Sequence, residues 1–147
     1  SRIMSLKDGS KKMSKSELSD LSRINLTDNK DQIINKIKKA KTDLLSMPKN
    51  SNELKDRLEV QNLLGIYTIL NNSTLENCVN KFSGKNFSEF KEELSELLIN
   101  KILPISEEIK KLLNNEKYLD SILLEGVEKA NEIASKKIKN IKEIVGF

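Results

Sequence analysis

From Asp28 onward the apolar residues of this chain return every three or four positions, with only two prolines and five glycines in the whole sequence to interrupt them. That spacing puts apolar side chains on one face of a helix and so restricts the fold to packed α-helices. Ile33, Ile37, Ala40 and Leu44 form a first stripe, with Asp28 as its expected N-cap. Leu58, Leu63, Leu64, Tyr67 and Leu70 form a second, closed by the turn-forming pair Asn71-Asn72. Ser73 with Glu76 reads as a capping box opening a short helix through Phe82, which Gly84 ends. Asn86 with Glu89 repeats that signature ahead of a long stripe: Phe90, Leu94, Leu97, Leu98, Ile102, Ile105, Ile109 and Leu112. Pro104 lies inside that stripe and predicts a kink or a brief break. A last helix carries Leu119, Ile122, Leu123, Val127, Ala130, Ala134, Ile138, Ile141 and Ile144, with Gly126 expected to admit a close neighbour. Each stripe needs a partner, so four or five such helices joined by short loops imply an all-α bundle whose stripes are its core.

Charge singles out the other end. Residues 1–16 hold Arg2, Lys7, Lys11, Lys12 and Lys15 against Asp8 alone, so the net charge of +4 is concentrated there and the rest of the chain is neutral as a block. The lysine-rich helix faces, Lys36, Lys38, Lys39 and Lys41 or Lys136, Lys137, Lys139 and Lys142, read as solvated surface, with contact to nucleic acid phosphates as the alternative. With no histidine and the single cysteine Cys78, the chain has neither a histidine base nor an internal disulfide, and no zinc site is expected. Cys78 falls in a helical pattern and reads as a buried, small apolar side chain. No apolar run approaches a membrane span and no signal peptide is evident, so the chain is expected to be soluble and intracellular, away from the membrane. A start of Ser-Arg-Ile-Met, and a strand-like "RIMSL" with no partner strand nearby in sequence, suggest a piece of something longer.

The basic stretch "DGSKKMSKSELSD" sets Lys12 and Lys15 three residues apart among Gly9, Ser10, Ser14 and Ser16. Such a loop suits a polyphosphate: ammonium groups neutralise charge on the phosphate oxygens, while hydroxyls and loop amides donate hydrogen bonds. Lysine acts there as a mobile point charge able to follow the phosphates.

The order of residues narrows this further. Lys12-Met13-Ser14-Lys15-Ser16 is "KMSKS", the signature loop of class I aminoacyl-tRNA synthetases. With "RIMSLKDGSKKMSKS", "RINL", "IINKIKKAKTD", "NLLGIYTIL", "GKNFSEFKEELSELL", "LPISEEI" and "YLDSILLEGVEKANEIASKKI" in order, the chain resembles the C-terminal half of the tryptophanyl-tRNA synthetases over essentially its whole length.

The resemblance implies a mainly α fold. A helical bundle of the anticodon-binding type (residues 27–147) would follow a short remnant of a Rossmann nucleotide-binding domain (residues 1–26), with the last helix able to turn back onto the nucleotide-binding domain. It implies ATP-dependent activation of tryptophan and transfer to tRNA(Trp). Lys12 and Lys15 would be the catalytic residues, binding the ATP phosphates and stabilising the departing pyrophosphate. Ser14 and Ser16 would hydrogen-bond them, Met13 would anchor the loop, and the backbone of Ile3 and Met4 would lie against adenine. Magnesium would enter with ATP as its counter-ion, without a protein metal site in this chain. The family's full-length enzymes are cytoplasmic and expected to be homodimers. Their second signature, a histidine-containing motif, has no counterpart in a chain without histidine, so this chain alone is expected to be inactive. A tyrosyl-type synthetase shares the fold and loop and is the near alternative. A non-catalytic helical module that binds RNA or a protein partner is the distant one.

Overall fold

A computed structural model describes residues 2–146. The chain is mainly α, with helices α1 (Lys30–Lys38), α2 (Leu58–Leu70), α3 (Leu75–Phe82), α4 (Phe87–Leu113) and α5 (Glu116–Val145). It divides into two compact units, Ser1–Glu107 and Glu108–Phe147.

The first unit has one apolar core. Ile33 and Ile37 of α1, Val60, Leu63 and Leu64 of α2, Val79 and Phe82 of α3, and Phe90, Leu94 and Leu98 of α4 are buried together. Phe82 stands edge-on between Tyr67 and Phe90, with ring centroids 5.0 and 4.9 Å away, the geometry that sets positive ring edges against negative faces. Cys78 is buried in the same cluster, as expected for a small apolar side chain.

Several local expectations shift by a residue, for physical reasons. The cap of α1 is Asn29, not Asp28: Asn29 accepts from the Gln32 amide and Gln32 answers to the Asn29 amide. Asp28 is taken by another partner, Lys36, whose ammonium lies 2.6 Å from its carboxylate with both side chains 3% exposed. Lys36 is therefore neither a solvated nor a phosphate-facing lysine. A buried cation needs a counter-charge, and Asp28 provides it. Leu44 leaves the first stripe altogether and is exposed. Thr74, not Ser73, caps α3, accepting from the Asn77 amide at 3.2 Å. Asn86 does cap α4, through the Glu89 amide at 3.0 Å.

Pro104 does not break α4, which runs through it. Proline deprives the carbonyl four residues back of its donor, but Asn100 and Pro104 are both exposed, so water can reach that oxygen. At the other end of the same helix, the Lys91 ammonium donates to the backbone carbonyls of Lys38 and Ala40 at 3.2 and 2.7 Å, closing the C-terminal end of α1. Burial pushes the Lys91 pKa down.

The second unit departs furthest from expectation. Its long helix α5 has no buried residue, and Ile122, Leu123, Val127, Ile138, Ile141 and Ile144 are all exposed. The stripe is therefore not core, and a Cβ at Gly126 would meet nothing within 4 Å, so no neighbour among the described residues exploits that glycine.

Candidate functional site

The N-terminal segment folds back on itself ahead of α1. Met4 and Lys12 form an antiparallel bridge, with the Ser5 amide donating to the Lys11 carbonyl at 2.8 Å and the Met13 amide to the Ile3 carbonyl at 3.1 Å. The strand-like "RIMSL" thus finds its partner eight residues on, across the turn at Asp8-Gly9-Ser10. Asp8 holds that turn by accepting from the Ser10 amide and hydroxyl at 3.0 and 2.6 Å, and the Ser10 hydroxyl and amide hold its carboxyl below the usual carboxylate range.

Three anchors join this hairpin to the helices. Leu6 is buried in the core, and its carbonyl accepts from the Lys41 amide at 2.8 Å. Asn62 of α2 grips the Met4 backbone on both sides, accepting from its amide at 2.9 Å and donating to its carbonyl at 2.8 Å. Gly9 lies so close to the start of α2 that a Cβ there would come within 2.6 Å of the Glu59 nitrogen and the Leu58 carbonyl carbon. These are backbone atoms and cannot swing aside, so the close approach requires glycine.

Beyond the bridge the lysine loop emerges. Met13 is half-buried against the core, whereas Lys12, Ser14, Lys15 and Ser16 are exposed. The Ser14 and Ser16 hydroxyls are 2.9 Å apart, and the Ser14 oxygen also accepts from the Ser16 amide at 3.3 Å. Together with Arg2 and Ile3, residues 12–15 line an open concavity of about 760 Å³ whose far wall is Arg23, Ile24, Asn25, Leu26 and Thr27. Four cations, Arg2, Lys12, Lys15 and Arg23, line it, and among the described residues no carboxylate does. Neither Lys12 nor Lys15 has an ion-pair partner among the described residues, while nearby Lys11 pairs with Asp8 and Arg23 with Asp20. Uncompensated cations around a concavity raise the local concentration of anions.

Of the residues singled out in the sequence, Ile3, Lys12, Met13, Ser14 and Lys15 meet at this concavity. Ser16 does not line it and is joined to it through the Ser14 hydroxyl. Met4 lies on the other side of the hairpin, lining a neighbouring hollow of about 490 Å³ with Gly9, Asn62 and Ile66, and its backbone amide and carbonyl are occupied by Asn62. Sequence reasoning missed Arg2, Arg23, Asn25, Thr27 and Asn62. A signal existed for Asn62, a polar residue between Val60 and Leu63 on an apolar helix. Among the described residues, no group of three or more acidic or cysteine side chains is placed to hold a metal ion, and no helix is long and apolar enough to cross a membrane.

The profile of the tRNA synthetases class I (W and Y) matches residues 1–104. The chain is 48% identical over 146 residues to the tryptophan–tRNA ligase of Agrobacterium fabrum, covering 99% of this chain and 41% of that protein. It is 49% identical over 146 residues to the tryptophan–tRNA ligase of Rickettsia felis, covering 99% of this chain and 44% of that protein. The crystal structure of tryptophanyl-tRNA synthetase from Mycoplasma pneumoniae superposes with a TM-score of 0.76 at 25% identity, over 99% of this chain and 44% of that one. The chain thus spans less than half the length of the relatives it matches.

Proposed function

This chain belongs to the class I tRNA synthetases of the tryptophan and tyrosine type, and on that premise we propose that it serves as the C-terminal part of a cytoplasmic tryptophan–tRNA ligase, homodimeric when full length. The observation that carries the reading is the concavity on which Arg2, Lys12 and Lys15 converge, with no carboxylate lining it and neither lysine in an ion pair among the described residues. Residues 1–26 would be the end of the nucleotide-binding domain, and the helices after them would recognise tRNA(Trp).

ATP is the substrate such a concavity would take, its triphosphate neutralised by Lys12 and Lys15 and hydrogen-bonded by Ser14 and Ser16, with magnesium entering alongside it. Activation joins a tryptophan carboxylate oxygen to the α-phosphorus and breaks the bond to the bridging oxygen, so negative charge grows on the leaving pyrophosphate. Exposed ammonium groups on a loop anchored at Met13 are suited to meet that charge as it develops, which speeds the step beyond what equal binding of ATP and the transition state would do. Transfer to the 3′ end of tRNA(Trp) then releases AMP. A histidine contribution has to come from outside this chain, which has none, so the chain alone is inactive on this reading.

The sequence kinship to tryptophan–tRNA ligases favours tryptophan over tyrosine. The check is amino-acid-dependent exchange of pyrophosphate into ATP by the full-length protein. Tryptophan should support exchange and tyrosine should not, and the isolated chain should give none; exchange driven by tyrosine, or none with either amino acid, would overturn the assignment.

A further inference from the structure

The far wall of the basic concavity is built unlike the lysine loop. Arg23 lines it, yet its side chain is only 17% exposed and its guanidinium is engaged on three sides. Nη1 donates to the Glu17 carbonyl at 2.9 Å, Nε donates to the Asn25 side-chain oxygen at 3.1 Å, and Nη2 lies 3.0 Å from Asp20 Oδ1. Glu17 directly follows Ser16, so this bond holds the C-terminal end of the signature loop. The opposite end is held by the Met13 amide on the Ile3 carbonyl. Between those points the hydrogen bonds of residues 14–16 are the exposed ones between Ser14 and Ser16.

What Arg23 stands on is fixed. Asp20 Oδ2 lies 2.7 Å from the ammonium of Lys36, which is buried on α1 and also paired with Asp28. The Asn25 amide bridges the two carboxylates, donating to Asp20 Oδ1 at 3.0 Å and to Asp28 Oδ1 at 3.2 Å. Hydrogen bonds from Lys36 and Asn25 hold the Asp20 carboxyl below its ordinary range. Two cations and two anions make the cluster neutral, so it adds little net field to a phosphate in the concavity. Its effect is geometric: a planar fork with several donors can hold three acceptors at once, which a lysine ammonium on a flexible stem cannot reproduce.

We propose that Arg23 is a positioning residue for the lysine loop, latching the Glu17 carbonyl to Asp20 and through it to the buried Lys36–Asp28 pair, so that Lys12 and Lys15 are presented to a nucleotide triphosphate in one arrangement. The role in ATP binding rests on the reading above, while the latch itself is testable without nucleotide.

The experiment uses the full-length protein with Arg23→Gln and Arg23→Lys. In the ligand-free state, amide hydrogen exchange across residues 13–18 should accelerate roughly tenfold in both variants, with α1 and the melting temperature unchanged, because an anchored loop opens more easily once one end is released. The KM for ATP should rise roughly five- to tenfold in both while the KM for tryptophan holds. If Arg23→Lys restores the KM for ATP, Arg23 acts as a direct charge and the latch is wrong. Unchanged exchange across 13–18 would also overturn it. Should Arg23→Gln fail to fold, Asp20→Asn loosens the same anchor from an exposed carboxylate, and the same acceleration is expected. A wild-type protein that does not bind ATP would sink the functional reading and leave the exchange measurement to decide the latch.

Discussion

Helices α4 and α5 carry apolar stripes of the same kind, yet Phe90, Leu94 and Leu98 of α4 are buried and no residue of α5 is. The difference lies in what faces each stripe. On α4, Tyr67, Phe82 and their neighbours close over it. The polar surface of α5 is instead knitted along its own length by ion pairs one turn apart, Glu125 with Lys129 and Glu132 with Lys136. Such pairs support a helix locally without any tertiary partner. Periodicity therefore reveals that a helix has an apolar face, and leaves open whether this chain supplies the surface that covers it.

The sharpest way to break the comparison is to truncate both stripes in turn. Phe90→Ala should cost roughly 3–5 kcal/mol in denaturant unfolding, through lost transfer energy and the cavity left behind. Leu123→Ala, at a residue 66% exposed, should change stability by less than about 0.5 kcal/mol. Similar costs at the two positions would mean that the α5 stripe has a partner after all.

A smaller effect is expected at the turn of the hairpin. Gly9→Ala forces a Cβ against the backbone of Leu58 and Glu59, and overpacking of this kind costs roughly 1–3 kcal/mol. Leu6 and the Asn62 bonds resist displacement of the hairpin, so melting temperature and hydrogen exchange of residues 3–13 should both report the change. No loss of stability would show that the hairpin can lift from α2 at little cost.

The smallest effect separates a tethering ion pair from a local one. Arg57 donates through Nε and Nη2 to Asp43 at 2.7 and 2.8 Å, and these bonds hold the Asp43 carboxyl below its ordinary value of 3.8. A depressed carboxyl contributes stability above its unfolded pKa and loses it as pH falls through the folded one. Wild type should therefore exceed Asp43→Asn by up to about 1 kcal/mol near neutrality, the usual scale for a partly exposed pair, and the gap should close in acid. A gap independent of pH would assign the effect to packing.

The sequence made the lysine loop legible because its signal is the order of adjacent residues, and it made α1 to α4 legible because helical periodicity is local. What it concealed was set by distance along the chain. Asn62 grips Met4 across 58 residues, and no local pattern announces that bond. Lys36 read as surface because lysine usually is, and its burial depends on Asp20 and Asp28, which only the fold brings together. Arg23 was hidden for another reason: its partners Glu17, Asp20 and Asn25 are close in sequence but lie on an irregular segment, where no periodicity announces them. The exposed α5 marks the opposite failure: its pattern was read correctly as a helix and wrongly as core.

The most direct test of the central claim, that the lysine loop stabilises charge on departing pyrophosphate, is single-turnover adenylate formation by the full-length protein carrying Lys15→Ala, with Lys7→Ala as the control outside the concavity. Loss of a preorganised charge-stabilising group predicts a rate lower by about 10²-fold or more for Lys15→Ala, with tryptophan binding unchanged and Lys7→Ala near wild type. Equal behaviour of the two variants would reduce the loop to a basic surface and contradict the account.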